Sequence, residues 1–271
     1  MNRKLFRMIV QGIPSLVQSF FFTNKTSKHK EKYNLDYRYY GLRKIVLELC
    51  RRSLRTRFIV SGQENLPKGQ VLFVANHVSY MDPLSFIAVS DRPVAFLSKK
   101  EAIKLPVIGN ANIGLGGKFL DREDLRSEIK VFKEVEDEME KEKELSFVIF
   151  PEGTRETPPD FKMLPFHHGS FKPAERLGLP VVPVAIYLSD RVLNPNYHYK
   201  TYPIQIRFLR PFLPEECEKM TTKELALESH NLILKNLEEM IVLDRKYVKE
   251  LNGYTDEETD KVLRSTETRK H

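Results

Sequence analysis

An α/β fold, with a mixed, largely parallel sheet flanked by helices, is what this sequence predicts. The first observation is an alternation. Short apolar runs bounded by Gly, Pro, Asn or Asp recur between longer stretches of helical periodicity. The second is size: 271 residues, 41% hydrophobic and including 17 Phe, suffice for one domain with a sizeable core plus extra elements. The third is the shortage of cysteine. Cys50 and Cys217 alone occur, which argues against a disulfide-stapled secreted fold and a cysteine-based zinc site.

Residues 1–57 predict two amphipathic helices. In "RMIVQGIPSLVQSFFFTNK" the uncharged run 8–24 is interrupted by Gln11, Gly12, Pro14, Ser15, Gln18 and Ser19. A spanning helix needs about 20 predominantly apolar residues, so a crossing is not expected. Leu5, Ile9, Ile13, Leu16 and Phe20 recur at helical spacing, the pattern of a helix lying in a bilayer interface. The basic start has no A-x-A-like site after its apolar part, so no cleavable signal is expected. In "YYGLRKIVLELCRRSLRTRF" the stripe is Leu42, Ile45, Val46, Leu49 and Leu54, surrounded by Arg43, Lys44, Arg51, Arg52, Arg55 and Arg57. The same pattern also suits a surface helix packed on the domain.

Residues 58–252 carry the α/β alternation. "FIVSG" and "VLFVA" read as strands, "PLSFIAVS" as a helix, "VAFLS" as a strand. "LPVIGNANIGLGG" is a stretch punctuated by Gly and Asn that leads to the apolar pair of "KFLDR". Leu125, Ile129, Phe132, Val135 and Met139 mark a charged amphipathic helix. "LSFVIF" and "LPVVPVAIYL" are strands, "PIQIRFL" closes the sheet, and "TKELALESHNLILKNLEEMI" is a late helix. Residues 253–271 read as a polar, frayed tail.

Charge is uneven. Residues 1–60 hold 14 Lys or Arg against 3 Asp or Glu, a net +11, while the remainder is −4. Such asymmetry points to an anionic surface, membrane or nucleic acid, as partner of the N-terminal segment. Its cations interleave with aliphatic stripes rather than stacking aromatics, which favours an anionic membrane and argues against nucleic acid.

The first candidate site lies in "VLFVANHVSYMDPLSF", where a buried strand ends in Asn76 and His77, with Asp82 five residues beyond and Pro83 after it. On a continuous helix, residues five apart differ by about 140° around the axis, so the pair can meet only if residues 76–82 include a turn. Pro83 supports one, since it disfavours α geometry at Asp82 and suits the first helical position. Asp82 is also a good helix N-cap, and Ser79 with Asp82 resembles a weak capping box. A His–Asp dyad would suit general-base activation of a substrate hydroxyl. Amides near His77 are candidates for stabilising an oxyanion.

The second constellation is "FVIFPEGTRE", a strand running into Glu152, Gly153, Thr154 and Arg155. It offers a permissive turn, a hydroxyl and a guanidinium fork matched to phosphate or carboxylate. A solvated turn with Glu and Arg paired is the plainer reading. In "SKKEAIKLPVIGNANIGLGGKFLDR" the glycines match no phosphate-loop motif, but Lys99, Lys100 and Arg122 bracket the stretch with positive charge.

Taken together these blocks resemble the glycerophospholipid acyltransferases, most closely the bacterial-type 1-acylglycerol-3-phosphate acyltransferases. "GQENLPKGQVLFVANHVSYMDP" carries the N-H-x-x-x-x-D signature, "SKKEAIKLPVIGNANIGLGGKFLDR" is similar to the second block, "VIFPEGTRE" to the third and "GLPVVPVAI" to the fourth, all in order between Phe58 and Phe212. His167 and His168 stand where basic residues are common in that family, and Lys118 where an apolar one is usual.

The resemblance implies acyl transfer from an acyl-ACP or acyl-CoA thioester to the sn-2 hydroxyl of lysophosphatidate, giving phosphatidic acid. His77 would be the general base and Asp82 its orienting partner. Arg155, with Lys99, Lys100 and Arg122, would hold the acceptor phosphate, and Asn76, Glu152, Gly153 and Thr154 would shape the acceptor site. No metal and no cofactor beyond the acyl thioester co-substrate is implied. The location implied is the cytoplasmic face of the cell membrane, held peripherally by residues 1–57. Glycerol 3-phosphate or another lysophospholipid as acceptor, and water as acceptor in a thioester hydrolase, are the alternatives.

Overall fold

The computed structural model describes residues 3–121, 125–155 and 163–267. Two helices come first, α1 (Arg3–Lys28) and α2 (Leu35–Glu48), the second running into a π-turn, Leu49–Ser53. Strand β1 (Thr56–Ser61), β2 (Leu72–Ala75), helix α3 (Met81–Val89), β3 (Val94–Lys99), α4 (Pro106–Leu115) and β4 (Lys118–Leu120) follow. Next are α5 (Leu125–Lys141), β5 (Ser146–Ile149), α6 (Lys172–Leu177), β6 (Val181–Tyr187) and β7 (Tyr202–Phe208). The short α7 (Pro214–Cys217), the long α8 (Thr222–Asn252) and α9 (Asp256–Glu267) end the described chain.

The seven strands form one sheet in the order β1-β7-β6-β2-β5-β3-β4. All neighbours are parallel except β6 and β7, the mixed, largely parallel arrangement expected. The central strands β2, β5 and β6 are buried along their whole length, because helices cover both faces. The β2-to-β3 and β5-to-β6 crossovers step in opposite directions along the sheet. Right-handed connections therefore place α3 and α4 on one face and α5 and α6 on the other. Strand β1 forms the edge that β7 was expected to close.

Three elements differ from the sequence reading. The Gly- and Asn-punctuated stretch is helix α4, begun by Pro106 and stopped by Gly116 in the left-handed region. Its Gly114 is small because α1 lies against it: a Cβ there would sit 3.0 Å from Thr26 Oγ1. Part of the expected tail is helix α9. Thr255 and Glu258 cap it reciprocally, with Val262 and Leu263 packed against the core. Finally, α2 buries its apolar stripe, Leu42, Ile45, Val46 and, beyond it, Leu54, against the domain.

Helix α1 does the reverse. It turns Gly12, Ser15, Ser19, Thr23 and Thr26 inward and leaves Phe6, Ile9, Val10, Ile13, Leu16, Val17, Phe20 and Phe21 between 43% and 67% exposed. Leu5, which opened the expected stripe, has its side chain outside the described set. Among the described residues no helix is long and apolar enough to cross a membrane.

Candidate active site

Strands β6, β2, β5 and β3 run parallel, so the loops after them gather at one edge of the sheet, where open α/β sheets bind ligands. The sequence breaks β2 at this edge with Asn76. Its side chain is buried and grips the neighbouring strand: Nδ2 donates to the Ile186 carbonyl and Oδ1 accepts from the Ile186 amide, both at 2.8 Å. Asn76, expected among the substrate-binding residues, therefore fixes where the loop leaves the sheet.

Beyond it the chain stays irregular through Ser79 and enters α3 at Met81. The expected turn is there, although α3 starts earlier than Pro83 and takes Asp82 inside its first turn. Asp82 is fully buried and surrounded by donors. Its Oδ2 accepts from His77 Nδ1 at 2.7 Å and from the amides of Val78 and Ser79 at 2.8 and 2.9 Å, while Oδ1 accepts from the Ser189 hydroxyl. The aspartate is thus no N-cap of the ordinary kind. Its carboxylate folds the loop back on itself and presents one oxygen to the imidazole.

The His77 ring also stacks on Phe150, the residue after β5, with centroids 4.1 Å apart and planes 19° from parallel. Its side chain keeps 16% of its surface exposed, unlike the aspartate behind it. Donation of the Nδ1 proton to Asp82 leaves the lone pair on Nε2, the nitrogen on the open side of the hydrogen bond. The arrangement is that of an oriented imidazole able to take a proton from a bound hydroxyl.

Glu152 is buried and joins two loops. Oε1 accepts from the His77 amide at 2.8 Å and Oε2 from the Leu164 amide at 2.9 Å. These two bonds tie the carboxylate to the backbone of both loops. Of the amides near His77 that were candidate oxyanion donors, those of His77, Val78 and Ser79 point at the carboxylates of Glu152 and Asp82.

Gly153 adopts φ 76°, a left-handed turn strained for other residues, and so serves the bend after Glu152. Thr154 and Arg155 are exposed. The Arg155 guanidinium carbon lies 3.5 Å from the ring centroid of Tyr80, which belongs to the same loop as His77. This stack brings the third-block cation to the first-block loop.

Lys99 and Lys100 stand at the end of β3, at the same sheet edge but beyond β5. There they pair in the open with Glu101 at 3.5 Å and Asp121 at 2.8 Å. Arg122 lies outside the described residues. A cavity of about 240 Å³ opens beside Phe150 and Gly153, lined further by Leu97, Leu120, Phe132 and His167. His168 points elsewhere, 3.5 Å from the Thr222 hydroxyl.

Sequence reasoning missed Phe150, Tyr80 and Ser189. The first two sit inside blocks already singled out and could have been weighed as partners of His77 and Arg155. Ser189 carries no local signal, since it meets Asp82 across 107 residues of sequence.

Comparison with known proteins adds an independent result. Residues 57–187 match the Acyltransferase family model. The 1-acyl-sn-glycerol-3-phosphate acyltransferase of Borreliella burgdorferi is 35% identical over 145 residues, 52% of this chain and 55% of that protein. The enzyme of the same description from Saccharomyces cerevisiae is 29% identical over 182 residues, 67% of this chain and 60% of that protein. The chain thus spans little more than half the length of these relatives. The crystal structure of the 1-acyl-sn-glycerophosphate (LPA) acyltransferase PlsC from Thermotoga maritima superposes with a TM-score of 0.66 at 26% identity. That match covers 88% of this chain and 96% of that one.

Proposed function

We propose that the chain is a member of the acyltransferase family whose model matches residues 57–187, and that it transfers a fatty acyl group from an acyl thioester to the sn-2 hydroxyl of 1-acylglycerol 3-phosphate. The observation that carries the reading is the juxtaposition in one loop of the Asp82-held His77 ring and the Tyr80 ring that bears Arg155.

In this reading His77 Nε2 removes the hydroxyl proton as the acceptor oxygen attacks the thioester carbonyl carbon. A C–O bond forms, the C–S bond breaks, and the thiolate leaves with the proton carried on the imidazole. Asp82 stabilises the imidazolium formed on the way. Arg155 grips the acceptor's phosphate with its planar fork, which stacking on Tyr80 leaves accessible at its edge. Lys99 and Lys100 add positive charge at the same sheet edge. Their exposed ion pairs contribute little and exchange readily for a phosphate partner. The thioester comes from coenzyme A or acyl carrier protein.

The acceptor is a lipid, and α1 supplies the means of reaching it. A helix that buries Gly, Ser and Thr while exposing eight large apolar side chains is inverted relative to a water-facing helix. An anionic membrane surface is its partner in this reading. Helix α2, the π-turn after it and the start of β1 contribute charge rather than an apolar stripe. Arg43, Lys44, Arg51 and Arg57 line a groove of about 520 Å³, and basic residues near an anionic surface are worth roughly 1 kcal/mol each. This seats the protein peripherally on the cytoplasmic face, where the acyl thioesters are.

The test is a panel of acceptors offered to the purified chain with acyl-CoA and with acyl-ACP, followed by thiol release and product analysis. Phosphatidate formed from 1-acylglycerol 3-phosphate well ahead of glycerol 3-phosphate, of a choline lysophospholipid and of plain hydrolysis supports the reading. Preference for another acceptor, or free fatty acid as the product, overturns it.

A further inference from the structure

The loop after β6 connects the dyad to the opposite end of the chain. Strands β2 and β6 are parallel neighbours, with Ala75 beside Val184, so the loops that leave them meet at the sheet edge. The chain leaves β6 through Leu188, a buried non-glycine residue at φ 51°, in the sparsely populated left-handed region. Such a conformation persists where its surroundings over-determine it. Its consequence is that the next residue, Ser189, fully buried, aims its hydroxyl at Asp82 Oδ1.

What holds the loop is an ammonium. Lys4, near the start of α1 and only 7% exposed, donates from Nζ to the carbonyls of Arg191 at 3.1 Å, Asn194 at 2.8 Å and Tyr197 at 3.0 Å. The same ammonium lies 4.4 Å from the centroid of the Tyr202 ring. From the other side Arg191 forms a buried bidentate pair with Asp244 of α8, at 3.0 and 2.9 Å. A buried lysine charge is tolerated only where several acceptors replace water, and here those named belong to one loop. That loop begins at the hydroxyl that holds the oxygen of Asp82 not used by His77.

We propose that Ser189 is a positioning residue for the acyl-transfer dyad and that Lys4 acts through it, fixing the loop that presents the hydroxyl. Ser189 occupies Oδ1, so the carboxylate cannot swing and Oδ2 stays on the His77 Nδ1 proton. Lys4 holds three carbonyls of the following residues, so the hydroxyl's position depends on a side chain of the first helix. Neither residue touches substrate, and both act on turnover rather than on acceptor binding. The inference rests on the acyl-transfer reading above.

The experiment uses the full chain in mixed micelles of detergent and 1-acylglycerol 3-phosphate, with Ser189→Ala, Lys4→Met and the double variant beside wild type and His77→Ala. Thermal unfolding checks that each variant is folded. Ser189→Ala is expected to lower kcat about ten-fold with KM for either substrate within about two-fold, the loss of one hydrogen bond to a charged group. Lys4→Met is expected to lower kcat in the same sense. The double variant should be no slower than Ser189→Ala alone, because the lysine acts through the hydroxyl.

A kcat for Ser189→Ala within two-fold of wild type, a change confined to KM, or single losses that multiply would each overturn the proposal. If Lys4→Met does not fold, Ser189→Thr decides. Recovery of kcat by the restored hydroxyl supports the proposal, and a threonine variant as slow as alanine overturns it. An inactive wild type, or an active His77→Ala, would instead remove the acyl-transfer reading itself.

Discussion

Replacing Asp82 by Asn separates charge from geometry at the dyad. The asparagine can place its carbonyl oxygen where Oδ2 stands, still accepting from His77 Nδ1 and from the amides of Val78 and Ser79. Its amide nitrogen then occupies the position of Oδ1 and donates to the Ser189 oxygen, whose hydroxyl is free to rotate. The loop and the imidazole tautomer survive, and the lost quantity is the negative charge that stabilises the imidazolium. Two unit charges about 4 Å apart at an effective dielectric of about 20 interact by roughly 4 kcal/mol. At 1.36 kcal/mol per decade this is about a thousand-fold in kcat, within the range of about 10²–10⁴ for general-base catalysis. Asp82→Ala should instead be a folding defect, since each buried donor losing its acceptor costs about 1–3 kcal/mol. Thiol release under saturating lysophosphatidate gives kcat, and thermal unfolding gives the stability comparison. An Asn variant keeping more than a tenth of wild-type kcat would refute the role of the charge. One as destabilised as the alanine variant would refute the hydrogen-bond exchange.

Three further outcomes follow from the same geometry. Arg155→Ala should raise KM for 1-acylglycerol 3-phosphate at least ten-fold with a smaller effect on kcat, measured by initial rates over acceptor concentration, as expected for loss of a bidentate phosphate contact. Burial pushes the Cys50 thiol up to about 12. A thiol reagent at about pH 8 should therefore label it only after denaturant is added, as read by mass spectrometry. Burial works to raise the Glu138 carboxyl, but the ammonium groups of Lys118 and Lys30 win and hold it below the ordinary value of 4.5. Its stabilising contribution is complete above that value and lost as pH falls through the lower folded value. Unfolding midpoints of Glu138→Gln should accordingly fall less steeply than wild type between about pH 5 and pH 3.

Much of the fold was legible because its signals are local. The apolar runs that became β2, β5 and β6 are continuous, as strands covered on both faces must be, and α5 announces itself by the period of Phe132, Val135 and Met139. Helix α4 was hidden because its glycines read as loop residues. Gly114 is there for the close approach of Thr26, a contact sequence periodicity does not encode. Helix α9 had a signal in Thr255 and Glu258 that the polar composition of the tail obscured.

At the site, the pairing of His77 with Asp82 was legible as a conditional: the two could meet only if residues 76–82 turned, and they do. The roles of Asn76 and Glu152 were not legible. A buried amide clamping β6 and a substrate-facing amide are the same residue in sequence, and only the position of the Ile186 backbone distinguishes them. Helix α1 shows the same limit in reverse. The stripe of Ile9, Ile13, Leu16 and Phe20 was visible, but which side faces the domain depends on the small residues that pack inward.

The account depends most on His77 as the base acting on a phosphate-bearing alcohol. Its most direct test is the rate of phosphatidate formation by His77→Ala beside wild type, from 1-acylglycerol 3-phosphate and an acyl thioester, in chains of equal thermal stability. The account predicts that the variant loses at least a thousand-fold in kcat and that thiol release falls with it. A variant forming phosphatidate within ten-fold of wild type would contradict it.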